Sequence, residues 1–249
     1  MSHFDPERYS HLDSPIHCWN PRVRLISLSL LIFSVALAGD IIQAAAGLVV
    51  SVLLISISGM PLSHVAGFMK WPLIFLLPLF IFLPFTTKGE PFFAIYFISP
   101  SIQGLFLGLL FLIRGLGAAL IALLIVGTAP FSVTINALRN LGLPGPLTQI
   151  FLFAYRYIFL LNEELETMSR SLDSKGFVKR TDLKTARITA LAKGMLLIRS
   201  YERSENVFHA MLSRGYQGMM PLARIQEIRG IDLFKGFLVA GAALLIHGL

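Results

Sequence analysis

The sequence predicts an all-α integral membrane protein: about five transmembrane helices and a cytoplasmic module of amphipathic helices. Three observations predict it. Of the 249 residues, 55% are hydrophobic and only 14% charged, against roughly 25% charged in soluble domains. The apolar residues arrive in runs approaching the ~20 helical residues that a ~30 Å hydrocarbon slab requires. Of the 21 Lys and Arg, 15 lie between Phe131 and Lys235 beside 9 of the 14 acids, so this window nets +6 (15 − 9). A block of that kind marks the cytoplasmic side, because Lys and Arg resist translocation. Its placement also argues against nucleic acid as the target of the overall +7 charge.

Residues 1–22 form a cytoplasmic N-terminal segment. MSHFDPERYS carries acids and no apolar stretch after them, which predicts no cleavable signal peptide. His3, Asp5, Glu7, His11, Asp13, His17 and Cys18 could ligate metal, but their spacing matches no zinc signature, and a solvated tail is the reading adopted. The single Cys18 cannot form an internal disulfide.

Residues 23–127 hold four predicted spans. Val23–Gly39 and Ile41–Gly59 meet at a turn of Gly39 and Asp40. The third, WPLIFLLPLFIFLPF from Trp71 to Phe85, is short and holds three prolines, which predicts a kinked helix whose freed carbonyls are satisfied by neighbours. Pro91–Pro100 is too short to cross and reads as interfacial or re-entrant. The fourth span, Gln103–Gly127, contains GLFLG, whose Gly104 and Gly108 permit close helix approach. It also carries Arg114 mid-span, at a cost of about 2.5–3.5 kcal/mol on insertion scales. With no acid mid-span elsewhere in the chain, helix-end carbonyls or a partner subunit are the expected acceptors; the alternative is that Arg114 snorkels or sits shallower than mid-span.

Residues 128–232 change texture: charges recur every few residues, and ITALAKGMLLI, Ile188–Ile198, is too short to cross and contains Lys193. NLGLPGPL, Asn140–Leu147, reads as an elbow. Residues 233–249 supply the fifth span. An inside N-terminus places Arg8, Arg22, Arg24 and Lys70 with the basic window and leaves only Lys88 in an outer loop.

Within the cytoplasmic module two helix endings match. LDSKGF, Leu172–Phe177, and MLSRGYQG, Met211–Gly218, share the order serine, cation, glycine, aromatic ring. Each closes an amphipathic stretch. In the first, Leu161, Leu165, Met168 and Leu172 make one apolar stripe; in the second, Tyr201, Val207, Phe208, Met211 and Leu212 are apolar. Glu163, Glu164 and Glu166, like Glu202 and Glu205, stand early, and the cations late, the order a helix dipole favours. A cation beside a capping glycine adds only 0.3–1 kcal/mol typically, roughly the macrodipole term. The repetition on two amphipathic helices suggests instead paired tips that dock on partner chains.

AYRYIFLLNEELETMSRSLDSKGF, SYERSENVFHAMLSRGYQG and the opening SPIHCWNPRVRLI carry a family likeness. Through them the chain resembles, over nearly its whole length, the EcfT/CbiQ-like transmembrane T component of energy-coupling factor transporters, in the cobalt and nickel branch. The resemblance implies an L-shaped all-helical protein of the bacterial or archaeal cell membrane. It implies two coupling helices along the membrane surface, docked on a pair of ABC-type ATPase subunits, and a substrate-binding membrane S component for cobalt or nickel. Carried over, Arg214 and Gly215 match the family's Ala-Arg-Gly-type signature, with Ser213 for the usual Ala and Tyr216 after it. In the first copy Ser174, Lys175 and Gly176, followed by Phe177, stand where Ala-Arg-Gly is expected. Lysine keeps the charge but loses the planar fork, so that contact should be weaker.

No GxxxxGK[ST] or HExxH occurs, which predicts no ATP site, no cofactor and no catalytic residues. The rival reading is a self-sufficient channel or secondary transporter whose basic module binds anionic lipid of the bilayer.

Overall fold

A computed structural model describes residues 14–16, 19–87, 101–178, 180–218 and 227–248. Among them are eight helices: α1 (Pro21–Leu37), α2 (Ile41–Ser58), α3 (Leu62–Thr86), α4 (Ile102–Gly127), α5 (Phe131–Asn140), α6 (Gly145–Ser174), α7 (Leu183–Ser213) and α8 (Gly230–Gly248). The all-α class expected from composition is the observed one. The chain divides into two compact units, Met1–Leu138 with Ile225–Leu249, and Arg139–Arg224.

In the first unit, α2, α3, α4 and α8 are each long and apolar enough to cross a membrane. The remaining predicted span, α1, has 17 residues, about 25 Å at 1.5 Å per residue. It is also the helix the others bury: Leu28, Leu31 and Val35 are fully enclosed, packed with Leu120, Ile121 and Leu124 of α4 and Val239, Ala243 and Ile246 of α8. The Ser34 hydroxyl is matched inside the bundle, donating to the Ala243 carbonyl at 2.7 Å.

α3 corrects the sequence reading. The helix does not start at Trp71 but at Leu62, and runs 25 residues through Pro72, Pro78 and Pro84. His64 and Lys70 lower the local hydropathy without breaking the backbone ladder, so a span judged short is long enough. α3 is held by α4 through the predicted glycine pair. A Cβ on Gly104 would sit 2.6 Å from the Leu83 oxygen and the Pro84 Cα, and one on Gly108 would sit 3.2 Å from the Phe80 oxygen. Phe80 is four residues before Pro84 and so has lost its helical donor; its carbonyl instead faces the bare Cα of Gly108. The Pro84 carbonyl accepts the Ser101 amide at 2.8 Å.

The base of this unit is polar and closed. Asn20 caps α1, its side-chain oxygen accepting from the Arg22 amide at 3.1 Å. Trp19 Nε1 donates to the Asp232 carbonyl at 3.1 Å, and the Asp232 carboxylate accepts the amides of Asn20 (3.3 Å) and Arg229 (3.1 Å). Arg24, counted among the positive-inside residues, is only 4% exposed. Its Nη1 donates to the carbonyls of Thr128 at 3.0 Å and Ile16 at 3.4 Å, tying α1 to the C-cap of α4. Pro91–Pro100, Lys88, Cys18 and the N-terminal histidines lie outside the described residues.

The second unit is built from α6 and α7, of 30 and 31 residues. The elbow holds: α5 ends at Asn140, Gly142 has φ +113°, and α6 starts after Pro144. Ile188–Ile198 is part of α7 rather than a separate element.

Candidate functional site

Both amphipathic stretches form the second halves of longer helices, and this overturns one expectation. Glu163, Glu164 and Glu166 stand mid-way along α6, and neither helix has an acid in its first turn. The acids therefore do not complement a helix N-terminus. Glu164 works across the pair, accepting Arg199 of α7 at 3.0 Å and approaching Arg203 at 3.8 Å. Glu166 holds Arg170 one turn on, an exposed pair at 3.2 Å of the sort that contributes about 0–1 kcal/mol. α7 instead starts on Asp182, whose side chain accepts the Thr185 amide at 2.8 Å. Hydrogen bonds from Thr185 hold that carboxyl below the usual range.

The two endings share one hydrogen-bond pattern. Lys175 and Phe177 both donate their amides to the Leu172 carbonyl (3.0 and 3.1 Å), and Gly176 donates to Asp173 at 3.0 Å. Correspondingly Arg214 and Tyr216 donate to Met211, both at 3.0 Å, and Gly215 to Leu212 at 2.9 Å. This is the Schellman closure, which needs a left-handed residue. Gly176 and Gly215 supply it at φ +78° and +82°. Ser174 and Ser213 each bond the carbonyl four residues back, Arg170 at 2.9 Å and His209 at 3.0 Å.

Three of the four shared residue types thus have local work. Serine closes onto its own helix, glycine turns the chain, and the aromatic ring sits half-buried where the closure places an apolar contact. The cations are different: Lys175 and Arg214 are exposed, and among the described residues their side chains form no hydrogen bond or ion pair. The structure therefore separates what closes the helix from what points away from it.

The endings differ in anchoring. The Tyr216 hydroxyl donates to Gln149 Oε1 at 2.7 Å, and Gln149 Nε2 donates to the Gly218 carbonyl at 3.3 Å. Gln149 is buried near the start of α6. No such tie holds Phe177. Sequence reading missed Gln149, whose only signal is an amide among the apolar residues of LTQIFLF. Between α6 and α7 a groove of about 290 Å³ is lined by Phe153, Tyr157, Leu161, Val207 and Met211, together with Ser200, Arg203 and Ser204. No side chain of α7 is fully buried. Arg114 stands elsewhere, mid-way along α4, with its guanidinium 5.7 Å from the Phe111 ring centre and its Nε without a hydrogen-bond partner.

A bundle with four helices fit to cross a bilayer, in a chain that also holds two long helices with unburied apolar faces, defines a multi-pass membrane protein. Residues 13–224 match the family model described as CbiQ, cobalt transport protein, and the chain belongs to that family. An uncharacterized protein of Methanocaldococcus jannaschii is 31% identical, over 90% of this chain and 88% of its own length. Two proteins described as energy-coupling factor transporter transmembrane protein EcfT are also similar. That of Bacillus subtilis is 27% identical over 82% of each chain, and that of Heliobacterium modesticaldum 26% identical over 96% of this chain and 94% of its own. The chain is an EcfT/CbiQ-like transmembrane component of an energy-coupling factor transporter.

Proposed function

We propose that the chain transmits the motion of ATPase subunits to a substrate-binding membrane subunit for cobalt or nickel ions, with its N-terminus and residues 128–232 on the cytoplasmic side. The ion is the cargo of that subunit and touches no residue named here. Arg214 and Lys175 dock on two ATPase subunits, while the unburied stripes of α6 and α7 supply apolar contact area. The observation that carries this reading is the pair of exposed cations at two closed helix endings, in a chain whose relatives are named as transporter components. A Schellman closure gives each tip a fixed backbone, so a charge-assisted bond at the cation can move the whole helix rather than a side chain. Groups that could carry ATP hydrolysis are expected in the partners.

The test is reconstitution of the chain with its ATPase and substrate-binding subunits in liposomes. ATP-dependent uptake of cobalt or nickel should vanish in the R214E/K175E double variant, while the variant still inserts and elutes as wild type does. Uptake by the chain alone, without ATP, would establish the channel reading instead.

A further inference from the structure

The endings of α6 and α7 lie 39 residues apart (214 − 175), and the contact between the two helices joins positions with the same offset. Glu164 of α6 stands 11 residues before Lys175 (175 − 164), and Arg203 of α7 stands 11 before Arg214 (214 − 203). Glu164 takes Arg199 on Oε1 at 3.0 Å and Arg203 on Oε2 at 3.8 Å. Each exposed cation therefore ends an arm of about 16 Å, at 1.5 Å per residue, measured from one crossing.

The two helices run in opposite directions. Gln149, near the start of α6, meets Tyr216 beyond the end of α7, whereas Glu164, farther along α6, meets Arg199, earlier along α7. The two arms thus leave the crossing on opposite sides. Little packing fixes it: no residue of α7 is buried, only Thr148 and Gln149 are buried in α6, and between the two polar ties the helices leave the groove of about 290 Å³. Arg199 and Arg203 lie one turn apart on α7, a like-charge pair that repels when left alone. The Glu164 carboxylate, on a side chain only 17% exposed, offers each guanidinium one oxygen.

We propose that Glu164 is a positioning residue: by clamping both arginines it fixes the crossing, so that the Lys175 and Arg214 tips move as one lever rather than as two hinged helices. The charges decide this. At corresponding positions of the two copies stand residues of opposite sign, Glu164 and Arg203, so the crossing attracts where two like residues would repel. Such a tie holds one point of each helix and leaves the apolar stripes beyond it uncovered, as a docking unit requires. Glutamine at 164 would keep the shape and one acceptor, yet it would leave two guanidinium groups a turn apart without a counter-charge. The assignment rests on the reading of the two cations as docking points for ATPase subunits.

The experiment uses the chain assembled with its ATPase and substrate-binding subunits in liposomes. Spin labels are carried by S171C and A210C, exposed positions with the same offset, in a C18S background. In E164Q, cobalt or nickel uptake per ATP hydrolysed should fall about fivefold, the distribution of label distances should widen about twofold, and the ATPases should stay bound. E164R/R199E/R203E rebuilds the tie with its charges exchanged, and it should bring both readouts back toward wild type, a rescue that loss of folding would not show. Unchanged uptake per ATP or an unchanged distance distribution in E164Q overturns the assignment. So does loss of the ATPases from E164Q, or an exchanged triple no better than E164Q. Should wild type show no ATP-driven uptake, the functional reading fails, and the label distances alone decide whether Glu164 fixes the crossing.

Discussion

The endings of α6 and α7 are the same backbone put to unequal use. Each closes with a left-handed glycine, doubled amides on one carbonyl and a serine bonded back to its helix. Yet α7 presents a planar arginine on a tail pinned through Tyr216 to Gln149, whereas α6 presents a flexible lysine on a tail without that tie. What differs is rigidity behind the charge. A cation at a fixed position forfeits less entropy when it docks, so the second ending should bear more of the coupling than the first.

Charge reversal breaks the comparison hardest. R214E should weaken ATPase binding more than tenfold, the loss of a charge-assisted bond of about 1.5–3 kcal/mol plus repulsion. K175E should cost several-fold less, read by the ATPase retained on the tagged chain in a salt series. Equal losses would show that anchoring is irrelevant. Next come the glycines. A Cβ at Gly176 or Gly215 would meet no neighbour within 4 Å, so G176A or G215A is penalised through the backbone, roughly 1–2 kcal/mol for a residue held left-handed. Hydrogen exchange should then rise at the amides of residues 175–177 or 214–216 with the rest of each helix protected. A normal pattern would mean that the closure does not position the tips.

Those endings were legible because their determinants are local: glycine, cation and ring lie within four residues. The bundle was legible for a similar reason, since run length and charge scarcity mark α2, α4 and α8 directly. Where the reading failed, the determinant was elsewhere in the chain. Lys70 and His64 hid the first turns of α3, where Val65, Phe68 and Met69 pack on the main core. Glu164 read as a dipole partner because α6 was started too late; its true partner is Arg199, 35 positions on. That Arg24 is buried was not legible either, because nothing local signals that the Thr128 carbonyl waits for it.

Exchanging the cations sharpens the comparison more gently. K175R should raise ATPase retention a few-fold and R214K lower it by a similar factor, under about 1.4 kcal/mol each, if the fork matters at both sites. A gain at 175 without a loss at 214 would place the advantage in anchoring alone. Y216F tests that directly. It removes one hydrogen bond, about 1 kcal/mol, and leaves Gln149 with its bond to Gly218. Retention should fall about threefold toward the level of an unanchored ending, and no change would detach anchoring from docking.

The smallest effect concerns how the two helices begin. α6 starts on Pro144 without a side-chain cap, whereas α7 starts on Asp182, whose carboxyl is held low by Thr185. A carboxyl with a depressed folded-state pKa stabilises its helix at pH values above the unfolded pKa, and that support is lost as pH falls through the folded value. Acidification below about pH 4 should therefore fray the first turn of α7 and leave the start of α6 unchanged. Asparagine at 182 keeps a side-chain oxygen for the Thr185 amide but cannot titrate, so D182N should flatten the pH response at residues 185–187 while preserving protection at neutral pH. Pulsed hydrogen exchange across pH 3–7 reads both, and equal fraying of α6 and α7 in wild type would refute the role of the cap.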